Sequence, residues 1–208
     1  MKFLIADDHA IVRKGLAQIL CEEFPAAKVT EVANSNEVLD EVRKQIWDVI
    51  LLDISMPGRN EIETLKQIRT EGIKAPILML SMHPEDQYAV RVLKAGASGF
   101  LNKESATDEL LAAVRKVLSG KKYISAAVAE KLAETAGGEG EKPAHELLSD
   151  REMQVLQLIA SGKTVSEIGD ELSLSVNTIS TYRTRLLEKL NLSNNAELTR
   201  YAIDNRLA

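Results

Sequence analysis

Runs such as "VILLDI" (residues 49–54) and "PILML" (residues 76–80) are apolar at almost every position, a pattern that suits a short strand covered on both faces. Further strand candidates fall at residues 3–6, 29–33 and 99–101, separated by stretches with apolar residues at helical spacing. In residues 12–23, for example, Val12, Leu16, Ile19 and Leu20 share one face. Strands that alternate with helices imply a doubly wound, five-stranded parallel sheet with helices on both sides, an α/β domain.

Polar residues stand where these runs end. Asp7 and Asp8 follow the first run, Asp53 ends the third, Ser81 the fourth, and Lys103 comes just after the fifth. Ligands of open parallel sheets bind outside the carboxyl ends of the strands, so all five should meet on one edge. Three carboxylates there repel one another unless a cation neutralises them, and two adjacent acids make a metal the natural remedy. An all-oxygen set suits magnesium, which keeps several waters and also takes phosphate oxygens, and no histidine or cysteine cluster suggests zinc. Beside such an ion Asp53 is placed to attack phosphorus as a covalent nucleophile, with Lys103 helping to offset the phosphoryl charge. The competing reading makes Asp7 and Asp8 helix caps and Asp53 the start of a turn. The five polar ends taken together argue against it.

A length of 208 residues suggests two domains. Residues 1–121 hold the strand and helix alternation. Residues 122–146 read as a linker with a short helix at 126–134 followed by "TAGGEGEKPAHE", which is rich in glycine and charge. Residues 147–208 read as helices only, a small all-α domain. Ser149 with Glu152 three residues on is a capping box, and Gly162 ends the helix that follows. Residues 165–172 and 177–190, joined across "SLS", make a helix-turn-helix candidate, and a last helix covers 196–205.

On residues 177–190 a helical wheel puts Ile179, Leu186 and Leu190 on one side and Asn177, Ser180, Thr181, Thr184 and Glu188 on the other, flanked by Arg185 and Lys189. Short polar groups bordered by cations suit a reader of the DNA major groove. An ordinary amphipathic surface helix has the same pattern, and from Ser149 onward seven Lys or Arg stand against eight Asp or Glu. The net charge of −5 likewise argues against indiscriminate polyanion binding while allowing a local basic face.

The remaining features are weaker. No apolar stretch reaches the roughly 18 residues that span a bilayer, and the start lacks a signal-peptide layout, so a cytoplasmic protein without membrane partners is expected. Cys21 is expected to be a small buried thiol, Trp47, Met79 and Met82 to be packing residues, and His9, His83 and His145 to be loop residues.

The acidic pair, "LLDISMPG" around Asp53, Ser81 after "PILML" and "GFLNK" with Phe100 and Lys103 resemble the receiver domain of two-component response regulators. "LSDREMQVLQLIASGKTVSEIGDEL" and "SVNTISTYRTRLLEKLNL" are similar to the LuxR-type helix-turn-helix of the NarL/FixJ family. The resemblance implies a flavodoxin-like receiver and Mg2+-dependent phosphorylation of Asp53 by a sensor histidine kinase. It also implies that Asp7 and Asp8 hold the ion with help from the Ser55 carbonyl, that Ser81 follows the phosphoryl oxygen, and that Phe100 repacks behind it. For the second domain it implies a homodimer on a double-stranded operator, with RNA polymerase as a further partner and Leu198, Tyr201 and Ala202 on a dimer face.

Thr178, Ile179, Ser180, Thr181 and Tyr182 replace the family's usual T-V-K-x-H, which shifts the expected base contacts toward hydroxyls. Glu61 replaces a common glycine, tolerable if Asn60 caps a helix there, and Glu104 replaces a common proline. A regulator of this kind turns over no free metabolite, so it is not expected to be an enzyme. The rival from another class is a magnesium-dependent phosphohydrolase, which needs a second acid two residues after Asp53, where Ser55 stands. A helix-turn-helix that binds protein instead of DNA is the third reading.

Overall fold

The computed structural model describes residues 1–54, 56, 61–82, 85–103, 105–136, 143–205 and 207, and the chain divides into two compact units, Met1–Gly137 and Gly138–Ala208. In the first, strands β1 (Lys2–Ala6), β2 (Lys28–Val32), β3 (Val49–Asp53), β4 (Ile77–Ser81) and β5 (Gly99–Asn102) form one parallel sheet in the order β2-β1-β3-β4-β5. The winding reverses between β1 and β3, which is where an open α/β sheet leaves a crevice. Helices α1 (Ala10–Glu23), α2 (Ser35–Lys44), α3 (Glu61–Thr70), α4 (Glu85–Lys94) and α5 (Ala106–Leu118) follow the strands in turn.

The continuous apolar runs resolve into two faces with a period of two. Phe3, Ile5, Val49, Leu51, Leu78 and Leu80 pack with Leu16 and Leu20 of α1 and Leu110 and Val114 of α5. Leu4, Ala6, Ile50, Leu52 and Met79 pack with Val38 of α2, Leu65 of α3 and Val92 of α4. Burying such side chains contributes roughly 1.5–3 kcal/mol each, so a slip by one residue would not lower the number of buried apolar groups but would misplace each polar residue at the strand ends.

The expected linker is shorter than predicted. Helix α6 (Ala126–Ala136) belongs to the first unit: Val128 is buried in the same cluster as α4, and Leu132 packs beside it. Val128 and Leu132 are four apart and so share a helix face. The approach to α6 is fixed as well, because Tyr123 pairs with Gly99 at the free edge of β5 and donates its hydroxyl to Glu109. A side chain at Gly99 would meet the Tyr123 carbonyl oxygen at 2.7 Å.

Two packing expectations also fail. Cys21 is exposed, one step round α1 from buried Leu20, and Met82 is 57% exposed just beyond β4. Trp47 and Met79 are buried as expected.

The second unit opens with a short 3-10 turn, Ala144–Leu147, and continues with α7 (Asp150–Ala160), α8 (Val165–Leu172), α9 (Val176–Leu190) and α10 (Asn195–Asp204). Ser149 and Glu152 form the predicted capping box, and Thr164 with Glu167 forms a second one whose T-x-x-E signature the sequence also carries. Gly162 closes α7 with φ +88°. A Cβ on Gly169 of α8 would meet the Leu174 carbonyl oxygen at 2.8 Å, so the backbone of the α8–α9 turn folds closely against α8. Val155, Leu156, Ile168, Ile179, Leu186 and Leu198 make the core.

Candidate functional site

Hydrogen bonds between neighbouring strands fix the ends of the sheet. The Asp7 N–H donates to the Val32 carbonyl, the Ile54 N–H to Leu80, and the Lys103 N–H to Ser81. Asp7, Asp53 and Ser81 are consequently fully buried at the carboxyl edge, while Asp8 is exposed. Lys103 lies between the two buried acids, its Nζ 2.6 Å from Asp7 Oδ2 and 3.0 Å from Asp53 Oδ1. Burial pushes the Lys103 pKa down, but the Asp53 charge and the Asp7 hydrogen bond outweigh it and hold the pKa above the usual lysine value. The ammonium is therefore charged throughout the neutral range.

Four of the five predicted residues, Asp7, Asp8, Asp53 and Lys103, thus meet in one pocket, and Ser81 lies at the same edge. Ser55, Asn60, Glu104 and His83 fall outside the described residues, as does the side chain of Glu61. Oxygens of Asp7, Asp8 and Asp53, with a nitrogen of His9, lie within 4.8 Å of one another. Opposite ligands of an octahedral magnesium are about 4 Å apart, so a small contraction around an ion would satisfy the set. Three carboxylates against one ammonium leave an excess of two negative charges, which matches a divalent cation. Magnesium fits on both counts.

Phe100 is buried on β5 and borders a cavity of about 220 Å³ lined also by Asn102, Ser105, Glu109, Tyr123 and Ile124. The sequence offered no sign of this space, because Tyr123 and Ile124 lie in the segment read as linker.

On α9, Ile179 and Leu186 are fully buried and Leu190 nearly so, while Asn177, Ser180, Thr181, Thr184 and Arg185 are exposed and Thr178 partly so. Thr181 and Thr184 donate their hydroxyls to the carbonyls of Asn177 and Ser180, and Thr178 pairs with the capping Ser175. Arg185 forms no ion pair with a described residue.

Lys189 departs from the prediction. Its Nζ lies 2.7 Å from Glu152 Oε2, a carboxylate that is only 3% exposed, so it is engaged within the domain and is not a free cation beside the polar face. Burial pushes the Glu152 pKa up, but bonds from Lys189 and Ser149 outweigh it and hold the carboxyl below the usual range. A buried carboxylate needs a cation, but the burial of Glu152 is seen only in the structure.

The dimer-face prediction fails for two of its three residues. Leu198 and Ala202 are fully buried in the core of their own unit, where α10 packs on α7, because an i, i+4 apolar pair on a short helix fills the nearest core first. Tyr201 is half-buried and shares a hydrogen bond of 3.1 Å with His145 Nδ1. On α10, Ile203 is 61% exposed.

Known proteins match both units. The response regulator receiver domain family matches residues 3–115, and the family of bacterial regulatory proteins of luxR type matches residues 146–202. The response regulator UvrY of Escherichia coli K12 is 37% identical over 203 residues, covering 96% of this chain and 92% of UvrY. RcsB of Salmonella enterica serovar Typhimurium, solved bound to a promoter in the presence of phosphomimetic BeF3−, is 30% identical with a TM-score of 0.59 and 97% of each chain covered. A structure of two RcsB dimers on two parallel DNAs is 29% identical with a TM-score of 0.57, again with 97% of each covered. The chain belongs to the NarL/FixJ-type response regulators of two-component systems, which join a receiver domain to a LuxR-type DNA-binding domain. Among the described residues no helix is long and apolar enough to cross a membrane.

Proposed function

We propose that the protein is a cytoplasmic transcription regulator switched by phosphorylation of Asp53. A sensor histidine kinase supplies the phosphoryl group: an Asp53 carboxylate oxygen forms a bond to phosphorus as the bond from phosphorus to the histidine nitrogen breaks. Asp7, Asp8 and Asp53 would hold Mg2+, which would offset charge on the phosphoryl oxygens; the carbonyl ligand that the resemblance implies at Ser55 lies outside the described residues. Lys103, already paired with Asp53 and Asp7, stabilises the added negative charge. The observation that carries the reading is this buried Asp–Lys–Asp arrangement at the sheet edge of a chain that also carries a helix-turn-helix unit.

Ser81 turns toward the new phosphoryl oxygen and Phe100 repacks, for which the adjoining cavity supplies room. The phosphorylated receivers favour a homodimer, whose two recognition helices read two half-sites of a double-stranded operator. Asn177, Thr178, Ser180, Thr181 and Thr184 are assigned to base edges and Arg185 to phosphate. RNA polymerase is a further partner. The relatives support the output half, since RcsB has been solved on a promoter and as dimers on DNA. Asp53 is modified once per switching event and no free metabolite is turned over, so the protein is not an enzyme.

Genome-wide footprinting of the wild type against Asp53→Ala tests input and output together. The proposal expects protected sites that weaken or vanish in the variant under inducing conditions. Identical footprints would separate DNA binding from Asp53 and refute the switch.

A further inference from the structure

Helix α6 is held to the first unit by few side chains. Among its described side chains Val128 is buried, Leu132 is half-buried and the rest are exposed. A helix of 11 residues is marginal in water by itself, so this docking decides whether it persists. The surface beneath it includes Phe100: Val128 shares one buried cluster with Phe100 of β5 and with Tyr88, Ala89 and Val92 of α4, and Ile124 packs against the same cluster. The entry to α6 is anchored separately. The Tyr123 N–H donates to the Ser98 carbonyl at 2.8 Å and the Tyr123 hydroxyl to Glu109 Oε2 at 2.8 Å. Two residues on, Ser125 Oγ accepts from the Val128 N–H at 3.2 Å, the bond of a helix cap. Phe100, Tyr123, Ile124 and Ser125 all line the cavity of about 220 Å³.

An aromatic ring that moves into this cavity acts on α6 in two ways. It withdraws apolar surface from the cluster that holds Ile124 and Val128, and it crowds Ser125, whose bond starts the helix. We propose that α6 is a displaceable strap: docked on α4 it keeps the connection between the two units short, and Phe100 entering the cavity releases it with Tyr123 as the hinge. The consequence is reach. Residues 137–143 join α6 to the 3-10 turn of the second unit, a connection of at most about 25 Å. Release of α6 adds about 16 Å with the helix intact, at 1.5 Å per residue. A connection of about 40 Å admits separations between paired half-site readers that one of about 25 Å excludes. The inference rests on the phosphorylation switch proposed above and adds the element that carries it out of the receiver.

Amide hydrogen exchange read by mass spectrometry on the full-length protein, before and after incubation with acetyl phosphate and Mg2+, tests the strap. The expected result is exchange in residues 126–132 that is about ten-fold faster or more once Asp53 carries the phosphoryl group, with β3 unchanged. Val128→Asp should show the fast exchange without phosphorylation and no further rise with it. Unchanged protection of α6 in phosphorylated protein, a rise that β3 shares, or slow exchange of α6 in Val128→Asp overturns the inference and leaves the Asp53 reading standing. A protein whose intact mass gains no phosphoryl group on Asp53 removes the underlying reading, and the strap falls with it.

Discussion

The pocket at the end of the sheet and the polar face of α9 are both built from short polar side chains and a cation, yet they are fixed in opposite ways. The pocket draws Asp7, Asp53, Ser81 and Lys103 from four separate segments, buries the first three completely and holds each by backbone bonds between adjacent strands. The α9 face comes from one contiguous segment, is exposed, and is held only by the helix that carries it. A buried site is thus determined by the whole fold, whereas on an exposed face each side chain depends on its nearest neighbours. The cations illustrate the difference: Lys103 is locked between two carboxylates, Lys189 has been recruited by a buried Glu152, and Arg185 is left to solvent.

The comparison is broken most severely at Lys103. Lys103→Met leaves Asp7 and Asp53 buried without their cation and should lower stability by about 3–5 kcal/mol in urea denaturation, with part regained on adding Mg2+. Unchanged stability would mean that water or another group already screens the acids. Next in size is Leu198→Ala, which removes a fully buried side chain and should cost about 2–5 kcal/mol by thermal or urea unfolding. If the variant keeps its stability and loses only dimerisation, the dimer-face assignment is restored.

The smallest effects separate the two cations of α9. Lys189→Ala should cost roughly 1 kcal/mol, because its ammonium is partly exposed and screened. The effect should depend on pH. Glu152 titrates below its unfolded value, so its contribution is complete above the ordinary glutamate range and is lost as pH falls through the depressed value. Lys189→Ala should flatten that acid limb in denaturation measured from neutral pH downward. Arg185→Ala should leave stability within about 0.5 kcal/mol while lowering the slope of log binding constant against log salt by about one on a duplex half-site. Equal effects of the two changes on DNA binding would erase the contrast.

The sequence made the pocket far more legible than the rest. Continuous apolar runs ending in Asp53 and Ser81 require a sheet with both faces covered, and the sheet then brings its ends together whatever the intervening loops do. What stayed hidden depended on which surface a short helix finds. Val128 and Leu132 of α6, and Leu198 and Ala202 of α10, show the same i, i+4 apolar spacing, and spacing alone does not say whether a stripe covers its own core, a neighbouring helix or a second copy. Lys189 was misread for a related reason, since a helical wheel ignores the buried carboxylate on another helix.

Reversible uptake of phosphorus by Asp53 is read out by intact-mass analysis of the full-length protein after incubation with acetyl phosphate and Mg2+. The wild type should gain one phosphoryl group and Asp53→Ala none. Equal labelling of the variant, or repeated turnover of acetyl phosphate by the wild type with no covalent product on Asp53, would contradict it.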